Sequence, residues 1–348
     1  MLPTSLPSAR IIDPASVTPL RWGIIGPGWI AANFADSVHK YTTQRIVAVA
    51  SKTPGRGEEF AASRGIEIVL DSYEALVAHP DVDVIYVATT HEFHKEHALL
   101  AIAAGKHVLI EKPCAISKVD VEEIAAKAKA AGVIAMEAMW TRYLPQTDVI
   151  RQIVSEGILG DISLVVSDFG QDLRGVPRCM SSVSGGALLD LGIYNFAFTS
   201  LILGNATSVT TSGKLTLTGV DETSTTYFSY AGAARAVATV SLATYTPTAA
   251  SISGDNAVLT VDTPFFTPTA LTLYGAEFNA KPVARWEDGS GIREHEGLGY
   301  QATALASYVD QGLLDSPVRP LAEVASDIGL LEQARHQIGA FLDGEKRS

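Results

Sequence analysis

The feature that most constrains the fold is a regular alternation of short apolar segments and helical segments between Leu20 and about Glu137. Strands are predicted over 21–25, 45–50, 82–88, 107–110 and 133–136, and helices over 31–40, 57–63, 73–78, 93–104 and 118–131. The strand segments are almost continuously apolar, as expected for a parallel sheet covered on both faces. Gly65, Gly105 and Gly132 follow predicted helices, where a left-handed cap is expected. This pattern predicts a doubly wound parallel sheet, the Rossmann arrangement.

The remainder of the chain has a different pattern. A helix over 146–156, a strand over 162–169 and a glycine-led helix over 186–203 precede alternating Thr-, Val- and Ser-rich runs over 206–285. Such runs predict a largely antiparallel open sheet with one exposed face. Two helices, over 299–311 and 321–341, close the chain. The predicted organisation is an N-terminal arm (1–19), a dinucleotide-binding Rossmann domain (20–142) and an α+β domain for substrate binding and oligomerisation (143–348), whose last helix is free to pack back on the Rossmann domain. The arm is either disordered or draped over a domain or a partner subunit.

Composition and charge narrow the classes of partner. The formal net charge is −12 at pH 7, and an acidic surface repels the phosphates of nucleic acids and anionic lipids. No apolar run approaches the ~20 residues that a membrane-spanning helix needs. Cys114 and Cys179 form no zinc-like pattern, and residues 1–19 do not resemble a signal peptide. We therefore expect a cytoplasmic protein that has neither nucleic-acid nor membrane partners.

The first predicted strand runs directly into a glycine turn that fits the pattern G-x-G-x-x-A. The first glycine permits the tight turn, the second lets backbone approach a pyrophosphate, and the alanine allows close helix–strand packing. The following helix offers free N–H groups and a positive dipole end to phosphates. The alternative is a purely structural glycine turn, but the position at the first strand–helix junction favours a cofactor. The predicted dinucleotide-binding residues here are Gly26, Gly28, Trp29, Ile30 and Ala31.

The end of the second strand bears on the choice between NAD and NADP. An NAD site usually places Asp or Glu there to bind the ribose 2′-hydroxyl. This chain has no acid at that point; it has Ser51, Lys52 and, a little further on, Arg56. The hydroxyl and the two cations suit a 2′-phosphate, so NADP is favoured over NAD. The alternative is that both cations are solvated surface charges.

A lysine follows the fourth of these predicted strands, in the sequence Glu111-Lys112-Pro113. A side chain at the carboxyl end of a parallel strand points into the crevice where such folds bind ligands. Lys112 is therefore a candidate for stabilising negative charge that develops on a reacting oxygen. An ordinary surface lysine is the equally open alternative on spacing alone, and a cis bond before Pro113 is one way to orient the lysine.

A second candidate pair occurs in the segment Gly185–Asn195. Asp190 and Tyr194 are four residues apart and would share one helix face in an otherwise apolar stretch. A buried acid beside a phenol is either a satisfied core pair or an acid/base pair. A nearby ammonium would favour the phenolate and make the tyrosine a usable general base. Spacing alone leaves both interpretations open.

Together these motifs resemble the glucose–fructose oxidoreductase and inositol dehydrogenase family of NAD(P)-dependent enzymes. The resemblance is carried by GPGWIA at 26–31, ATTH at 88–91 with His94, AGKHVLIEKP at 104–113 and GGALLDLGIYN at 185–195. Within the family, the sequence MEAMWTRYLP at 136–145 and a tyrosine at 194 resemble the dimeric dihydrodiol dehydrogenase and NADP-dependent D-xylose dehydrogenase branch.

The resemblance implies roles for individual residues. Lys112 corresponds to the lysine of the family's EKP motif, Tyr194 to its catalytic tyrosine and Asp190 to that tyrosine's acidic partner. The same three residues would contact the substrate. The resemblance is less specific at Trp140 and Arg142, which would line the substrate pocket. The cofactor positions implied are Gly26, Gly28, Ala31, Ser51, Lys52, Arg56, Thr89, His91, His94, Glu111, Lys112 and Pro113.

The implied reaction is hydride transfer between the nicotinamide and a carbinol or carbonyl of a small polyhydroxylated substrate, such as a sugar, anhydrosugar, inositol or vicinal diol. Tyr194 would exchange the hydroxyl proton, and Lys112 would lower its pKa. No metal is expected, because the cationic lysine supplies the electrophilic role. A homodimer or higher homo-oligomer is implied by the family's open sheet. The alternatives are a non-catalytic nucleotide-binding sensor, use of the same site in the reductive direction, and a structural subunit.

Overall fold

The computed structural model describes residues 2–345, and its backbone contacts divide them into two compact units. The Rossmann unit contains Ile12–Tyr143 and Arg293–Ala325. The sheet unit contains the described residues up to Ile11, then Leu144–Ile292 and the described residues from Ser326 onward. Each unit is thus assembled from separate stretches of chain. The domain boundaries predicted from the sequence stay a prediction.

The Rossmann unit contains a six-stranded parallel sheet in the order β3-β2-β1-β4-β5-β6. Its strands are β1 Arg21–Ile25, β2 Arg45–Ala50, β3 Ile68–Leu70, β4 Val84–Val87, β5 His107–Glu111 and β6 Ala135–Ala138. Its first helices are α1 Trp29–Tyr41, α2 Arg56–Arg64, α3 Tyr73–Ala78, α4 His94–Ala103 and α5 Lys118–Ala131. The central strands β1, β4 and β5 are almost wholly buried, which accounts for their continuous apolar sequences.

Local capping chemistry explains where these helices begin and end. The Ser72 and Ser117 side chains accept hydrogen bonds from backbone N–H groups in the first turns of α3 and α5. Gly65 and Gly132 cap α2 and α5 in the left-handed conformation, and Gly105 also has positive φ. The predicted glycine caps are therefore confirmed.

The sheet unit contains an eight-stranded sheet in the order β14-β13-β12-β11-β7-β10-β9-β8. Its strands are β7 Ile162–Gly170, β8 Ser208–Leu215, β9 Asp221–Ser229, β10 Arg235–Ser241, β11 Ala250–Gly254, β12 Ala257–Val261, β13 Leu271–Gly275 and β14 Pro282–Trp286. The β7–β10 pair is parallel, and the other neighbours are antiparallel. The prediction of an α/β chain with a Rossmann sheet and a second, largely antiparallel sheet is confirmed.

Within the described residues the remaining α-helices are α6 Pro145–Ser155, α7 Ile193–Leu203, α8 Gly299–Asp310 and α9 Leu321–Gln337. A π-helical turn, Leu188–Gly192, leads directly into α7. The sequence predicted one continuous helix over 186–203, so this turn was missed. Helix α9 ends before the predicted 341, because Gly339 has a φ of 80° and the Arg335 carbonyl accepts hydrogen bonds from Ile338 and Ala340.

One face of the second sheet is open. Val166 on β7 lies beside Val237 on β10, which lies beside Tyr227 on β9. Val166 and Tyr227 are 40% and 41% exposed, and Leu164 lies two residues earlier on the same side of β7. We call Leu164, Val166, Val237 and Tyr227 the open-face cluster. Such a row is an uncovered apolar surface on a sheet whose other face is in the core.

The N-terminal arm is ordered over its described residues. Within the sheet unit, Arg10 donates hydrogen bonds to both carboxylate oxygens of Asp148 on α6. Within the Rossmann unit, the Thr18 backbone N–H donates to Asp310. The arm was expected to be either disordered or draped over a domain or a partner subunit. These contacts place it on the surface of its own chain. Among the helices of residues 2–345, none is both long and apolar enough for a membrane span.

Candidate active site

The glycine turn after β1 has the space that a bound diphosphate requires. Gly26 has a φ of 85°, and a Cβ there would lie 2.9 Å from Cγ2 of Thr89. Gly28 caps α1 without a side chain, and a Cβ there would approach nothing closer than 3.9 Å. Ala31 is fully buried, Ile30 is partly buried, and Trp29 is 67% exposed. The turn therefore leaves the start of α1 open, and the residues present fit a dinucleotide.

One of the residues after β2, Arg56, contacts this turn. The Arg56 Nε donates a hydrogen bond to the Pro27 carbonyl at 3.0 Å. The Ser51 hydroxyl accepts one from the Thr53 N–H, and the Lys52 ammonium lies 5.0 Å above the Tyr73 ring. Lys52 and Arg56 are both exposed. The three residues predicted to discriminate NADP from NAD thus follow the carboxyl end of β2, and Arg56 contacts the glycine turn directly.

The loop after β4 is tied to the loop after β5 by a buried histidine. His94 is fully buried; its Nδ1 lies 2.7 Å from the Pro113 carbonyl and its Nε2 3.0 Å from the Thr89 carbonyl. Burial lowers the pKa of His94, against the effect of the two carbonyls. The ring of His91 lies 5.6 Å from that of His94. His94 therefore contacts backbone on both sides, and what it fixes is the relation of the two loops.

The Glu111-Lys112-Pro113 turn ends β5, and the Lys112–Pro113 bond is cis. The Tyr86 hydroxyl donates to the buried Glu111 carboxyl at 2.5 Å, and the Lys112 N–H donates to its other oxygen. Burial raises the pKa of Glu111 to about 7, although Tyr86 and Lys112 both act to lower it. An acid that changes charge near neutral pH thus adjoins the predicted catalytic lysine.

The two residues predicted to line the substrate pocket are both buried. Trp140 is 1% exposed and stacks on His295, with ring centroids 5.6 Å apart. Arg142 donates to Glu323 at 2.7 Å and to the Val318 carbonyl. These contacts give Arg142 structural partners and do not support a role in substrate binding, which stays a prediction.

In the sheet unit, the predicted Asp190 has partners that the sequence did not indicate. Arg178 donates to one carboxylate oxygen at 2.6 Å, and the Cys179 thiol donates to the other at 3.3 Å. The Asp190 side chain is 3% exposed, whereas that of Arg178 is 44% exposed. Burial acts to lower the pKa of Arg178, but the Asp190 charge and hydrogen bond raise it overall. The result is a carboxylate–guanidinium pair that joins the 3₁₀ turn Pro177–Met180 to the π-helical turn before Tyr194.

Tyr194 lies in an aromatic cluster. Its ring is 5.5 Å from Phe169 and 5.2 Å from Phe266, and those two rings stack at 4.5 Å. Tyr194 and Phe266 each keep 8% of their surface exposed. The phenol is therefore held by rigid apolar neighbours, an arrangement suited to a positioned proton donor or acceptor.

Sequence reasoning missed several residues of these surroundings. His97, whose Nδ1 lies 3.1 Å from the Thr89 hydroxyl, follows His94 by three residues on α4, and that spacing was an available signal. Arg178 and His295 had none, because they lie in irregular segments without periodicity.

Comparison with known proteins identifies the family. A family model described as an oxidoreductase family with an NAD-binding Rossmann fold matches residues 20–139, and the GFO/IDH/MocA C-terminal domain model matches 148–260. The trans-1,2-dihydrobenzene-1,2-diol dehydrogenase of Mus musculus is 36% identical over 333 residues, covering 94% of this chain and 99% of its own. The Homo sapiens enzyme of that name is 34% identical over 338 residues, with the same coverage.

Among solved structures, an NAD-binding oxidoreductase from Klebsiella pneumoniae superposes with a TM-score of 0.82 at 22% identity, covering 92% of this chain and 97% of that one. At this identity the likeness establishes the fold alone. The family rests on the two domain models and on the relatives of about one-third identity across nearly the whole chain. The resemblance predicted from the motifs is thereby confirmed: the chain belongs to the GFO/IDH/MocA family of NAD(P)-binding oxidoreductases.

Proposed function

We propose that this oxidoreductase is an NADP-preferring dehydrogenase that transfers hydride between the nicotinamide and a carbinol or carbonyl of a small polyhydroxylated substrate. The observation that carries the proposal is the buried Asp190, held by Arg178 and Cys179 in the turn before Tyr194. A nucleotide sensor has no need of an acid and a phenol so arranged. The relatives named as dihydrobenzenediol dehydrogenases support a vicinal diol on a ring as one substrate class.

NADP is favoured because no carboxylate follows β2, where NAD sites usually place one. Lys52 and Arg56 are exposed cations that follow β2, Arg56 contacts the glycine turn, and Ser51 adds a hydroxyl. These three residues would hold the 2′-phosphate, and Gly26, Gly28, Trp29, Ile30 and Ala31 the diphosphate end. Thr89, His91, Glu111, Lys112 and Pro113 would contact the nicotinamide half, with His94 fixing the two loops that carry them.

When bound, the nicotinamide supplies or accepts the hydride. The chain's own contribution is proton transfer and charge: Tyr194 takes the proton from the substrate hydroxyl at its phenolic oxygen, or returns it in the reductive direction. Lys112 carries the positive charge that favours the phenolate. Asp190 orients the substrate hydroxyl or the phenol, and Phe169 and Phe266 present apolar faces that suit the ring of a cyclic diol or sugar.

We further propose a cytoplasmic homodimer. Cys114 and Cys179 are both buried thiols, and neither forms a disulfide within residues 2–345, which fits a reducing compartment. The open-face cluster offers a continuous apolar surface within the sheet unit, and a second copy of the chain is the occupant that the family's implied assembly favours.

The test measures reduced nicotinamide absorbance with NADP⁺ and with NAD⁺ against aldopyranoses, anhydrosugars, inositols and vicinal diols. Substrate-dependent reduction that is faster with NADP⁺ is expected. The Lys112→Met variant should lose orders of magnitude in kcat while keeping its NADPH affinity. Near-normal turnover in that variant would remove Lys112 from the reaction.

If no substrate of the panel supports reduction of the cofactor although NADPH binds tightly, reductive use of the site is favoured. Carbonyl substrates with NADPH then provide the next assay, and failure of that assay would favour the sensor.

A further inference from the structure

His295 lies outside every motif singled out in the sequence, yet it contacts two residues of the predicted site. Its ring packs edge-on against Trp29, with centroids 4.8 Å apart, and stacks on Trp140 at 5.6 Å with 27° between the planes. Trp29 is the first residue of α1, directly after the glycine turn. All three residues belong to the Rossmann unit. The imidazole is therefore presented at the start of the helix whose N–H groups suit a diphosphate.

The segment that carries His295 is fastened to α1. The Ser37 hydroxyl donates to the Glu296 carbonyl at 2.5 Å and accepts from the Gly299 N–H at 2.8 Å. The Lys40 ammonium pairs with the Glu296 carboxylate at 2.6 Å. Glu294, the residue before His295, has a φ of 46°, a strained value for a residue with a side chain. A strained backbone held by three anchors fixes the imidazole relative to α1.

The imidazole itself has unused hydrogen-bonding capacity. His295 is partly buried, and within residues 2–345 neither ring nitrogen has a hydrogen-bond partner from the chain. Burial lowers the pKa of His295, and the Lys112 ammonium lowers it further, against the effect of Glu294. The ring is therefore neutral at pH 7, with one N–H donor and one acceptor nitrogen. Such a group suits a hydroxyl or phosphate oxygen.

We propose that His295 is a cofactor-binding residue that hydrogen-bonds the nicotinamide half of the dinucleotide, at a ribose hydroxyl or phosphate oxygen. The inference rests on the proposed function, and it adds a ligand contact from the returning segment of the Rossmann unit. Trp29 locates the imidazole at the diphosphate end of α1. Trp140 locates it toward the nicotinamide end, because Trp140 closely follows Ala138, the β6 partner of Glu111 beside Lys112. The part of the dinucleotide that lies between those two ends is the nicotinamide ribose and its phosphate.

The test compares two ligands by isothermal titration calorimetry. NADPH contains the nicotinamide half, whereas adenosine 2′,5′-bisphosphate contains only the adenine half with its 2′-phosphate. His295→Ala should weaken NADPH binding by roughly 3- to 10-fold, the size of one hydrogen bond. It should leave the affinity for adenosine 2′,5′-bisphosphate unchanged. His295→Gln keeps a donor and an acceptor and should recover part of the loss.

His39→Ala is the matched control, since His39 is exposed in the last turn of α1, and it should bind both ligands normally. Equal affinity of wild type and His295→Ala for NADPH would overturn the inference and point to a substrate contact instead. An equal loss for both ligands would also overturn it, because the effect would then be structural. Wild-type protein that binds neither NADPH nor NADH would overturn the proposed function as well. If NADH proves to be the ligand, NADH and AMP replace the pair.

Discussion

The Asp190 carboxylate is almost fully buried, and its charge depends on a partner from an irregular segment. Arg178 reaches it from a 3₁₀ turn, Pro177–Met180, while keeping much of its own side chain in solvent. Removing one member of a buried pair costs more than the pair contributes, because the other charge loses its compensation. Arg178 is thus a positioning residue for the proposed acid.

Replacing Arg178 by Met should reduce the free energy of unfolding by roughly 1–3 kcal/mol, because the buried Asp190 carboxylate loses its charged hydrogen-bond donor. Arg174→Met is the matched control, since Arg174 pairs with Asp172 at the surface, where ion pairs contribute about 0–1 kcal/mol. Urea unfolding monitored by circular dichroism measures both. Equal small losses in the two variants would contradict a structural role for the Arg178–Asp190 pair.

Glu111 should make stability depend on pH. Its pKa is about 7 in the folded chain against an ordinary value of 4.5. Between these values the folded state retains a proton that the unfolded state has lost, so stability falls as pH rises from about 4.5 to 7. Glu111→Gln removes this dependence, and each pKa unit corresponds to roughly 1.4 kcal/mol. Urea unfolding at pH 5 and pH 7.5 should therefore show that the free energy of unfolding of the variant rises relative to that of wild type at the higher pH.

Tyr86→Phe provides a variant of opposite effect for that experiment. It removes the hydrogen bond that lowers the Glu111 pKa, so the decline in stability should extend to higher pH than in wild type. Parallel pH dependences for wild type and Glu111→Gln would show that Glu111 does not keep its proton in the folded state.

Among individual residues, the sequence indicated candidates at strand ends and in periodic helices. It missed residues whose positions are determined by irregular backbone. Lys112 was singled out because the carboxyl end of a parallel strand faces the crevice; it does follow β5, and its catalytic role stays a prediction. Tyr86 was not singled out, because nothing local shows that its hydroxyl meets Glu111 on the neighbouring strand. His295 and Arg178 come together with their partners only through tertiary folding.

Among the elements, the π-helical turn Leu188–Gly192 determines how Asp190 and Tyr194 are presented. The Asp221 carboxylate, from the start of β9, accepts a hydrogen bond from the Leu188 N–H at 2.6 Å. Gly186 has a φ of 108°, and a Cβ there would clash with the Asp221 side chain. A glycine is required at this entry because backbone and buried acid occupy the space of a side chain.

Gly186→Ala should therefore lower the melting temperature sharply, with the backbone conformation alone costing roughly 1–3 kcal/mol. Gly175→Ala is the control, because a Cβ there meets nothing within 4 Å, and it should be neutral or slightly stabilising. Differential scanning calorimetry compares the two. A Gly186→Ala protein that melts with the wild type would mean that the turn can rearrange without cost.

The elements also show where periodicity fails as a guide. Strand β3 has only three residues, Ile68–Leu70, all partly exposed at the sheet edge, which is too short for a pattern to predict it. The π-helical turn was not predicted, because over five residues its sequence pattern cannot be distinguished from the 3.6-residue period of an α-helix. Strands β1 and β2, which are longer and mostly buried, were predicted at their observed bounds.

For the whole molecule, the open-face cluster leads to a prediction about assembly. Val166→Lys places a charge in the centre of this surface and should convert the proposed dimer to a monomer, because an unpaired charge is costly at a closed interface. Multi-angle light scattering measures the mass. Leu217→Lys, at a fully exposed turn away from the cluster, should leave the dimer intact. A Val166→Lys protein with unchanged mass would place the interface elsewhere.

The discontinuity of the Rossmann unit has a consequence for how the protein is made. Glu137 on β6 is fully buried and accepts hydrogen bonds from Cys114 and from Arg319, a residue 182 positions later. At translation rates of about 5–20 residues per second, that partner leaves the ribosome roughly ten to forty seconds after β6. During this delay the Glu137 side chain has no guanidinium partner. The core around β6 therefore stays incompletely packed until Arg319 is available. The six strands of the Rossmann sheet are thus synthesised well before the returning segment Arg293–Ala325, and the nucleotide-binding unit stays incomplete until that segment emerges.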